Sequence, residues 1–353
     1  MSLVGDPSVS VIVPAYNAEA TLGDCLRALR NMSVEPAEVL VYVDGATDGT
    51  ERIARDAGAE VIKNSGPPKG PAHARNAAAA SAKSDLLWFV DADVVVAPDC
   101  LRRLIDDMQA HGAVGAFGSY DDKPASLRST SLYANLRHHF VHQRGNREAT
   151  TFWSGIGLIR RDIFLQFGGF DAKRFPYPSV EDVDLGMRII AAGHLIRLVP
   201  EAQGRHCKDW SLWRVWHTDV MRRARPWSLM LSERPQAARD LNLTRQEQLK
   251  AVLALAIPAL LAAALVNPLS LTAAATAAVL YLFANRTFFA FLFRRLPMRA
   301  FAVAVAMHWC YHCYSALTFA WTMAELRLAR AAAAVSPNFF GAARPRGASA
   351  SDN

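Results

Sequence analysis

Three long apolar stretches crowd the last third of the chain: Leu249–Val266, Leu271–Phe293 and Ala300–Ala324. Each is close to the ~20 residues that an α-helix needs to cross the hydrocarbon core of a bilayer. One such stretch could be a buried core helix, but three in succession point to a membrane-embedded region. The residues up to Gln248 read differently, as a water-soluble α/β unit. The expected layout is a globular unit over 1–230, an amphipathic linker over 231–248, two or three transmembrane helices over 249–325, and a disordered Pro/Gly/Ala/Ser-rich tail over 326–353. Pro258 and the pair Asn285-Arg286 interrupt the first two stretches. Arg245, Lys250, Arg294, Arg295 and Arg299 favour the cytoplasmic side. Three full crossings would strand Arg327, Arg330, Arg344 and Arg346 outside, so one segment is expected to be re-entrant or interfacial, marked by Pro258 or Arg286.

Composition narrows the class of the front half. Hydrophobic residues make up 52% and charged residues 20%, which excludes a disordered or collagenous chain. The net charge of +7 fits a nucleic acid, an anionic membrane or a phosphate-bearing substrate equally well. Five scattered cysteines are no disulfide scaffold and fit a reducing compartment. Met1–Pro7 has neither a basic nor an apolar leader segment, so the front half is expected in the cytoplasm. No repeat recurs at 20 to 50 residues.

Within the front half, strands and helices alternate. Ser8–Ala15, Glu38–Val43, Ala59–Lys63 and Asp85–Val90 are β-branched or apolar runs of strand length. Between them lie a helix bearing Leu22, Leu26 and Leu29 on one face and capped by Asn17, a short helix over Thr50–Ala57, and an Ala-rich helix over Ala72–Ala82. Pro98 opens a further helix over Asp99–His111. Such alternation implies a parallel, doubly wound sheet, with ligands at the carboxyl ends of its strands. Tyr16-Asn17, Asp44–Asp48 and Asp91–Asp93 fall there. The first βα turn holds no glycine and no G-x-x-x-x-G-K-[ST] occurs, which removes dinucleotide binding and P-loop phosphoryl transfer.

An acid-rich site remains. If the pleat persists past Val90, Asp91 and Asp93 face the same side, where two carboxylates suit Mg²⁺ or Mn²⁺ bound to a diphosphate. Asp is also common in solvated turns, and Asp44–Thr50 reads equally as a turn and helix cap. Glu181 and Asp182 open an amphipathic helix carrying Leu185 and Ile189, where helix-dipole capping is the alternative account. Trp210, Trp213, Trp216 and Trp227, interleaved with Arg214, Arg222, Arg223 and Arg225, suit either a membrane surface or packing on the globular unit. Cys310, His312 and Cys313 lack the further ligands that a metal site needs.

Taken together, VSVIVPAYNAEATLGDCLRAL (9–29), VDGATDGT (43–50), PAHARNAAAASAKSDLLWFVDADV (71–94), GIGLIRRDIFLQFGGFD (155–171) and EDVDLGMR (181–188) resemble the inverting family 2 glycosyltransferases, in order and spacing, over roughly the first 210 residues. The resemblance implies a GT-A fold, a Rossmann-like and mostly parallel sheet with flanking helices, followed here by the C-terminal transmembrane helices. It implies that Tyr16, Asp44 and Arg75 bind the donor nucleotide, that Asp91 and Asp93 form the D-x-D pair for ribose, metal and diphosphate, and that Asp182 is the catalytic base beside Glu181. His206 falls where some relatives hold the metal or diphosphate; a structural histidine is the other account. Trp210 and Trp227 are the acceptor candidates. Mg²⁺ or Mn²⁺ is the implied cofactor, a nucleotide sugar the donor, and a lipid-linked or glycan acceptor the partner, at the cytoplasmic face of a membrane, with nucleic acid excluded. Val43 stands where the family often shows a second acid. The Ala- and Arg-rich composition is that of a GC-rich bacterium, hence an inner membrane. A processive polysaccharide synthase is the alternative, although Pro226 interrupts the signature at Arg222–Trp227, and a non-catalytic membrane scaffold is the alternative of another class.

Overall fold

The computed structural model describes residues 7–233 and 244–335. Residues 234–243 of the expected linker, the tail from 336 onward and the first six residues lie outside the described residues. The chain opens with β1 (Val9–Ala15), α1 (Leu22–Arg30), β2 (Glu38–Asp44), α2 (Thr50–Asp56), β3 (Glu60–Asn64), α3 (Pro71–Ser81) and β4 (Leu86–Val90). These strands pair in parallel, in the order β3-β2-β1-β4. The β4 run LLWFV is buried at every position, as a strand covered on both faces requires. Full burial of Trp88 and Phe89 contributes about 1.5–3 kcal/mol for each such side chain. Leu22, Leu26 and Leu29 of α1 pack on one face of the sheet, and the alanines of α3 on the other.

Beyond β4 the sheet departs from the parallel expectation. β5 (Val94–Val96), α4 (Cys100–His111), β6 (Gly115–Tyr120), α5 (Ser129–Arg144), β7 (Ile156–Arg160), α6 (Arg161–Gln166), α7 (Glu181–Ala191) and β8 (Ile196–His206) complete an eight-stranded mixed sheet ordered β3-β2-β1-β4-β7-β6-β8-β5. β7 runs antiparallel to both β4 and β6, and β5 antiparallel to β8. The reason is local. β5 follows β4 after a turn closed by Val94 N–H donating to the Asp91 carbonyl at 3.0 Å, with no crossover helix, so the doubly wound pattern ends there. Two helix starts also differ from expectation. Asn17 caps nothing: it sits at φ +47° and its Oδ1 accepts from Thr47 N–H at 2.8 Å, tying the first strand-end loop to the second. Pro98 precedes the cap residue Asp99 and lies outside α4.

After β8 come α8 (Leu212–His217), a π-helical segment over Thr218–Ala224, α9 (Arg225–Glu233), α10 (Arg245–Ala263), α11 (Ser270–Ala284), α12 (Arg286–Phe293) and α13 (Met298–Val335). Among the described residues only α10 is a single helix long and apolar enough to cross a membrane; α11 and α12 reach that standard as a pair bent by 66°. The expectation was of two or three transmembrane helices over 249–325, one of them re-entrant or interfacial; the described residues offer one such helix and one bent pair. The bend falls at Asn285, whose side chain turns back to the Tyr281 carbonyl (3.0 Å) and meets His308 Nε2 (3.1 Å), so polar groups hold the break. Arg286 lies exposed, with its guanidinium 4.1 Å from the centre of the Phe283 ring. α13, at 38 residues, is long enough but spends its polar residues inward: His308 on Tyr133 of α5 (3.1 Å) and Tyr314 on Asp219 of the π segment (2.6 Å). His308 and His312 thus belong to a hydrogen-bonded network, and no metal-competent group of His, Cys, Asp or Glu occurs among the described residues.

Candidate active site

The carboxyl ends of β1, β2 and β4 open on a cavity of about 1590 Å³. Tyr16, Asp44, Arg75, Asp91, Asp93, Glu181, Asp182 and His206 all reach its wall, as do Trp210 and Trp227. The site residues expected from the sequence thus line one hollow, although Asp91 and Asp93 do not face the same side.

Asp91 and Asp93 diverge. The turn after Val90 breaks the pleat, so Asp91 Oδ1 meets Arg75 Nη2 at 2.6 Å, whereas Asp93 Oδ2 faces His206 Nε2 at 3.6 Å. The β5–β8 register pairs Val94 with His206, which is what sets that ring beside Asp93. His206 is buried, stacked on Tyr120 with ring centroids 4.3 Å apart, and its Nδ1 lies 2.6 Å from Asn135 Oδ1. His206 Nε2 thus faces the Asp93 carboxylate from the ring edge opposite Asn135. An imidazole nitrogen and a carboxylate oxygen facing each other are an O/N donor pair of the kind that Mg²⁺ or, with its imidazole, Mn²⁺ accepts. The pair offers two donors; no group of three or more His, Cys, Asp or Glu placed to hold a metal occurs among the described residues. Burial pushes the Asp93 carboxyl up, but His206 and Lys208 outweigh it and hold it below the usual carboxylate range.

Arg75 is the hinge of the site. It is buried on α3 and bridges Asp91 to Glu181, with Nη1 to Oε1 at 3.1 Å. The α3 start that places it needs Gly70: φ is +90°, and a Cβ there would lie 2.2 Å from the Pro176 carbonyl oxygen. Glu181 is 4% exposed, and burial together with the neighbouring Asp182 charge pushes its carboxyl up to about 7 in spite of Arg75. Asp182 Oδ2 accepts from the Ser154 N–H and Oγ, both at 3.0 Å, and its Oδ1 from Val183 N–H at 2.8 Å. Three of its roughly four lone-pair sites are occupied, leaving one toward the cavity. α7 comes this close to the Thr151–Ser154 backbone because Gly186 has no side chain; a Cβ would lie 2.1 Å from Phe152 N.

Asp44 is spoken for by its own loop. Its carboxylate accepts from Lys69 N–H, Gly70 N–H (2.8 Å) and Asn64 Nδ2 (2.9 Å), while Tyr16 stands exposed at the mouth. Asp48 turns to Thr50 and Glu19 and stays structural. Trp210 is buried, its N–H held by Ser131 Oγ (2.7 Å), and Lys208 Nζ lies 4.6 Å above its ring. Trp227 packs with the Phe175–Met187–Met230 cluster. Sequence reasoning missed Ser154 and Asn135, which no motif flags, and the buried pair Arg137–Asp219 with contacts of 2.8 and 2.9 Å. Asp219 did carry a signal, as an isolated acid in a run of arginines and tryptophans.

Residues 10–168, which supply the strand ends around this cavity, match the model of Glycosyl transferase family 2. The chain carries a family 2 glycosyltransferase domain of GT-A-like fold. It is 26% identical over 239 residues to the probable glycosyltransferase YdaM of Bacillus subtilis, covering 62% of this chain and 55% of that protein. It is 25% identical over 236 residues to the O-antigen chain rhamnosyltransferase WbaN of Salmonella anatum, covering 63% and 74%. The chain thus spans about half the length of the first of these relatives. Among solved structures, a mannosyltransferase from Pyrobaculum calidifontis in complex with GDP-mannose and Mn²⁺ shares the fold at a TM-score of 0.56 and 18% identity, over 90% of this chain and 88% of that one. That share exceeds what the sheet domain alone supplies, so the likeness of fold runs on into the C-terminal helices.

Proposed function

We propose that this chain transfers a sugar from a nucleotide-sugar donor, with inversion at the anomeric carbon, to a lipid-linked or glycan acceptor at the cytoplasmic face of a bacterial inner membrane. The observation that carries the reading is the convergence of Asp91, Asp93, His206, Glu181 and Asp182 on one cavity. Asp93 and His206 would hold Mg²⁺ or Mn²⁺, with Asp91 as a further oxygen donor, and the Mn²⁺ in the archaeal mannosyltransferase of the same fold supports that choice. When bound, the cation supplies charge neutralisation to the departing diphosphate. Lys208, beside Asp93, adds a cation of the protein's own. Tyr16 at the mouth stacks the base, and Asp44 acts through the loop it holds. Asp182 takes the acceptor hydroxyl proton on its remaining lone-pair site as the oxygen attacks; Ser154 fixes the direction of that site. Arg75 and Glu181 position the two halves rather than react.

Membrane attachment rests on surface. Only 6% of the apolar window of α10 is buried, and Leu261, Leu265, Val266, Leu280 and Phe283 stand open around the C-terminal helices. Trp213 and Trp216, both exposed with rings 4.9 Å apart, sit on the basic stretch as interfacial residues do. The test is donor binding by purified, detergent-solubilised protein, screening UDP-, GDP- and dTDP-sugars with Mn²⁺ or Mg²⁺. Metal-dependent binding of one donor, lost in Asp93→Asn, is expected, with turnover abolished and donor binding retained in Asp182→Asn. Full turnover by Asp182→Asn would remove that residue as the base.

A further inference from the structure

One group of cavity-lining residues carries polar atoms that the chain leaves unused. Tyr120 at the end of β6, Asn135 and His138 on α5, and Trp153 ahead of β7 all line the cavity. Their rings hold one another in place. Tyr120 stacks on His206, lies 4.5 Å from His138 between ring centroids, and meets Trp153 edge-on at 4.9 Å. His138 is 4.7 Å from Trp153 by the same measure. Gly155 makes room for the indole, since a Cβ there would lie 2.3 Å from Cζ2 of Trp153.

A folded chain ordinarily pairs such polar tips when it buries them. Here it does not. Asn135 Nδ2 and His138 Nδ1 are buried without a hydrogen-bond partner, and the Tyr120 hydroxyl, Trp153 Nε1 and His138 Nε2 bond to none of the described residues. A buried polar group left unpaired is destabilising, so several of them around one hollow mark a place where a ligand supplies the partners. The same inventory says that the ligand is uncharged. Burial, with His142 and Arg223 beside it, holds the His138 imidazole well below its ordinary pKa, so the ring is neutral. Arg137 and Arg223 are both paired with Asp219, at 2.8 and 3.1 Å. Neutral donors and acceptors set among aromatic rings recognise hydroxyl groups on a carbon frame.

The position of the cluster decides whose hydroxyls these are. Tyr120 and Asn135 both contact His206, which faces Asp93, and Trp153 precedes Ser154, whose N–H and Oγ hold Asp182. In a displacement at the anomeric carbon, the sugar between the diphosphate and the base is the one transferred.

We propose that Tyr120, His138 and Trp153 form the subsite for the transferred sugar, and that this sugar is uncharged and read through its hydroxyls. The inference rests on the glycosyltransferase reading and narrows its donor. Tyr120 supplies a hydroxyl, Trp153 an N–H donor, and the neutral His138 one donor and one acceptor, a set able to select among sugars by the direction of their hydroxyls.

The test uses the full chain in detergent with Mn²⁺. UDP, GDP and dTDP are each titrated alone, as a neutral hexose derivative (glucose or mannose) and as the matching uronate. For the base that binds, the hexose derivative is expected to bind at least tenfold more tightly than the uronate. Tyr120→Phe and His138→Phe keep the stacked rings and delete only polar tips. Each is expected to weaken the hexose derivative at least fivefold and to leave the bare diphosphate within twofold of the wild type, which also shows that the variant is folded. A uronate that binds as well as the hexose overturns the uncharged sugar, and this comparison needs no variant. Variants that bind the hexose derivative like the wild type, or that lose the bare diphosphate in equal measure, overturn the subsite. In each of these cases a nucleotide still binds and the transferase reading stands; if no nucleotide binds, alone or with a sugar, it is the transferase reading that fails.

Discussion

Glu181→Gln separates the electrostatics of the site from its packing. Glu181 lies 4% exposed, with Oε1 on Arg75 and Oε2 accepting from Ser179 N–H at 2.8 Å, and a glutamine side chain keeps the shape and one acceptor. Burial and the Asp182 charge lift its carboxyl from the ordinary 4.5 to about 7. A raised carboxyl pKa means that the folded chain keeps a proton the unfolded chain has lost. Stability from this group is then whole below about pH 4.5, declines as pH rises, and is lost above about 7. The shift corresponds to roughly 3 kcal/mol at most, at about 1.4 kcal/mol per pH unit. Glutamine does not titrate, so the variant lacks this slope. The assay is denaturant or thermal unfolding of both proteins in one detergent at pH 5 and pH 8. Glu181→Gln is expected to gain on the wild type by about 2–3 kcal/mol between the two pH values, whatever its absolute stability. Stability curves that stay parallel across this window would refute the reasoning and show that Arg75 keeps Glu181 ionised throughout.

Arg75→Lys keeps the charge but cannot span Asp91 and Glu181 at once; a fall in donor affinity of tenfold or more is expected in a nucleotide-sugar titration, with the protein still folded by circular dichroism. Asp219→Asn leaves Arg137 buried beside a neutral amide and loosens the joint between α5, the π segment and Tyr314 of α13. A loss of about 3–5 kcal/mol is expected in unfolding experiments, well beyond the change in a surface control such as Glu51→Gln.

The parallel half of the fold was legible because each strand carries its own evidence: β-branched runs, a βα spacing, and acids where the runs stop. The second half was not, because an antiparallel return such as β7 is decided by which neighbour the strand meets, and GIGLIR reads the same in either direction. The site residues were legible as a set, since a motif preserves order and spacing, but not as contacts. Nothing in Asp91-Ala92-Asp93 says that the pleat breaks between the two acids, or that Arg75, 16 residues earlier, will claim one of them. The C-terminal helices show the same limit from the other side. Hydropathy marks residues 249–324 as apolar, and leucines of α10 and α11 stand exposed there. Yet His308, His312 and Tyr314, which look like blemishes in an apolar run, are the residues that bind α13 to Tyr133, Glu247 and Asp219. Their partners stand 175, 65 and 95 positions away, beyond the reach of any local pattern. A helix fastened in this way cannot serve as a tether alone. The contacts that cost it hydropathy hold it as a wall of the cavity whose other wall carries Glu181 and Asp182, so the apolar third of the chain shapes the same hollow as the strand ends.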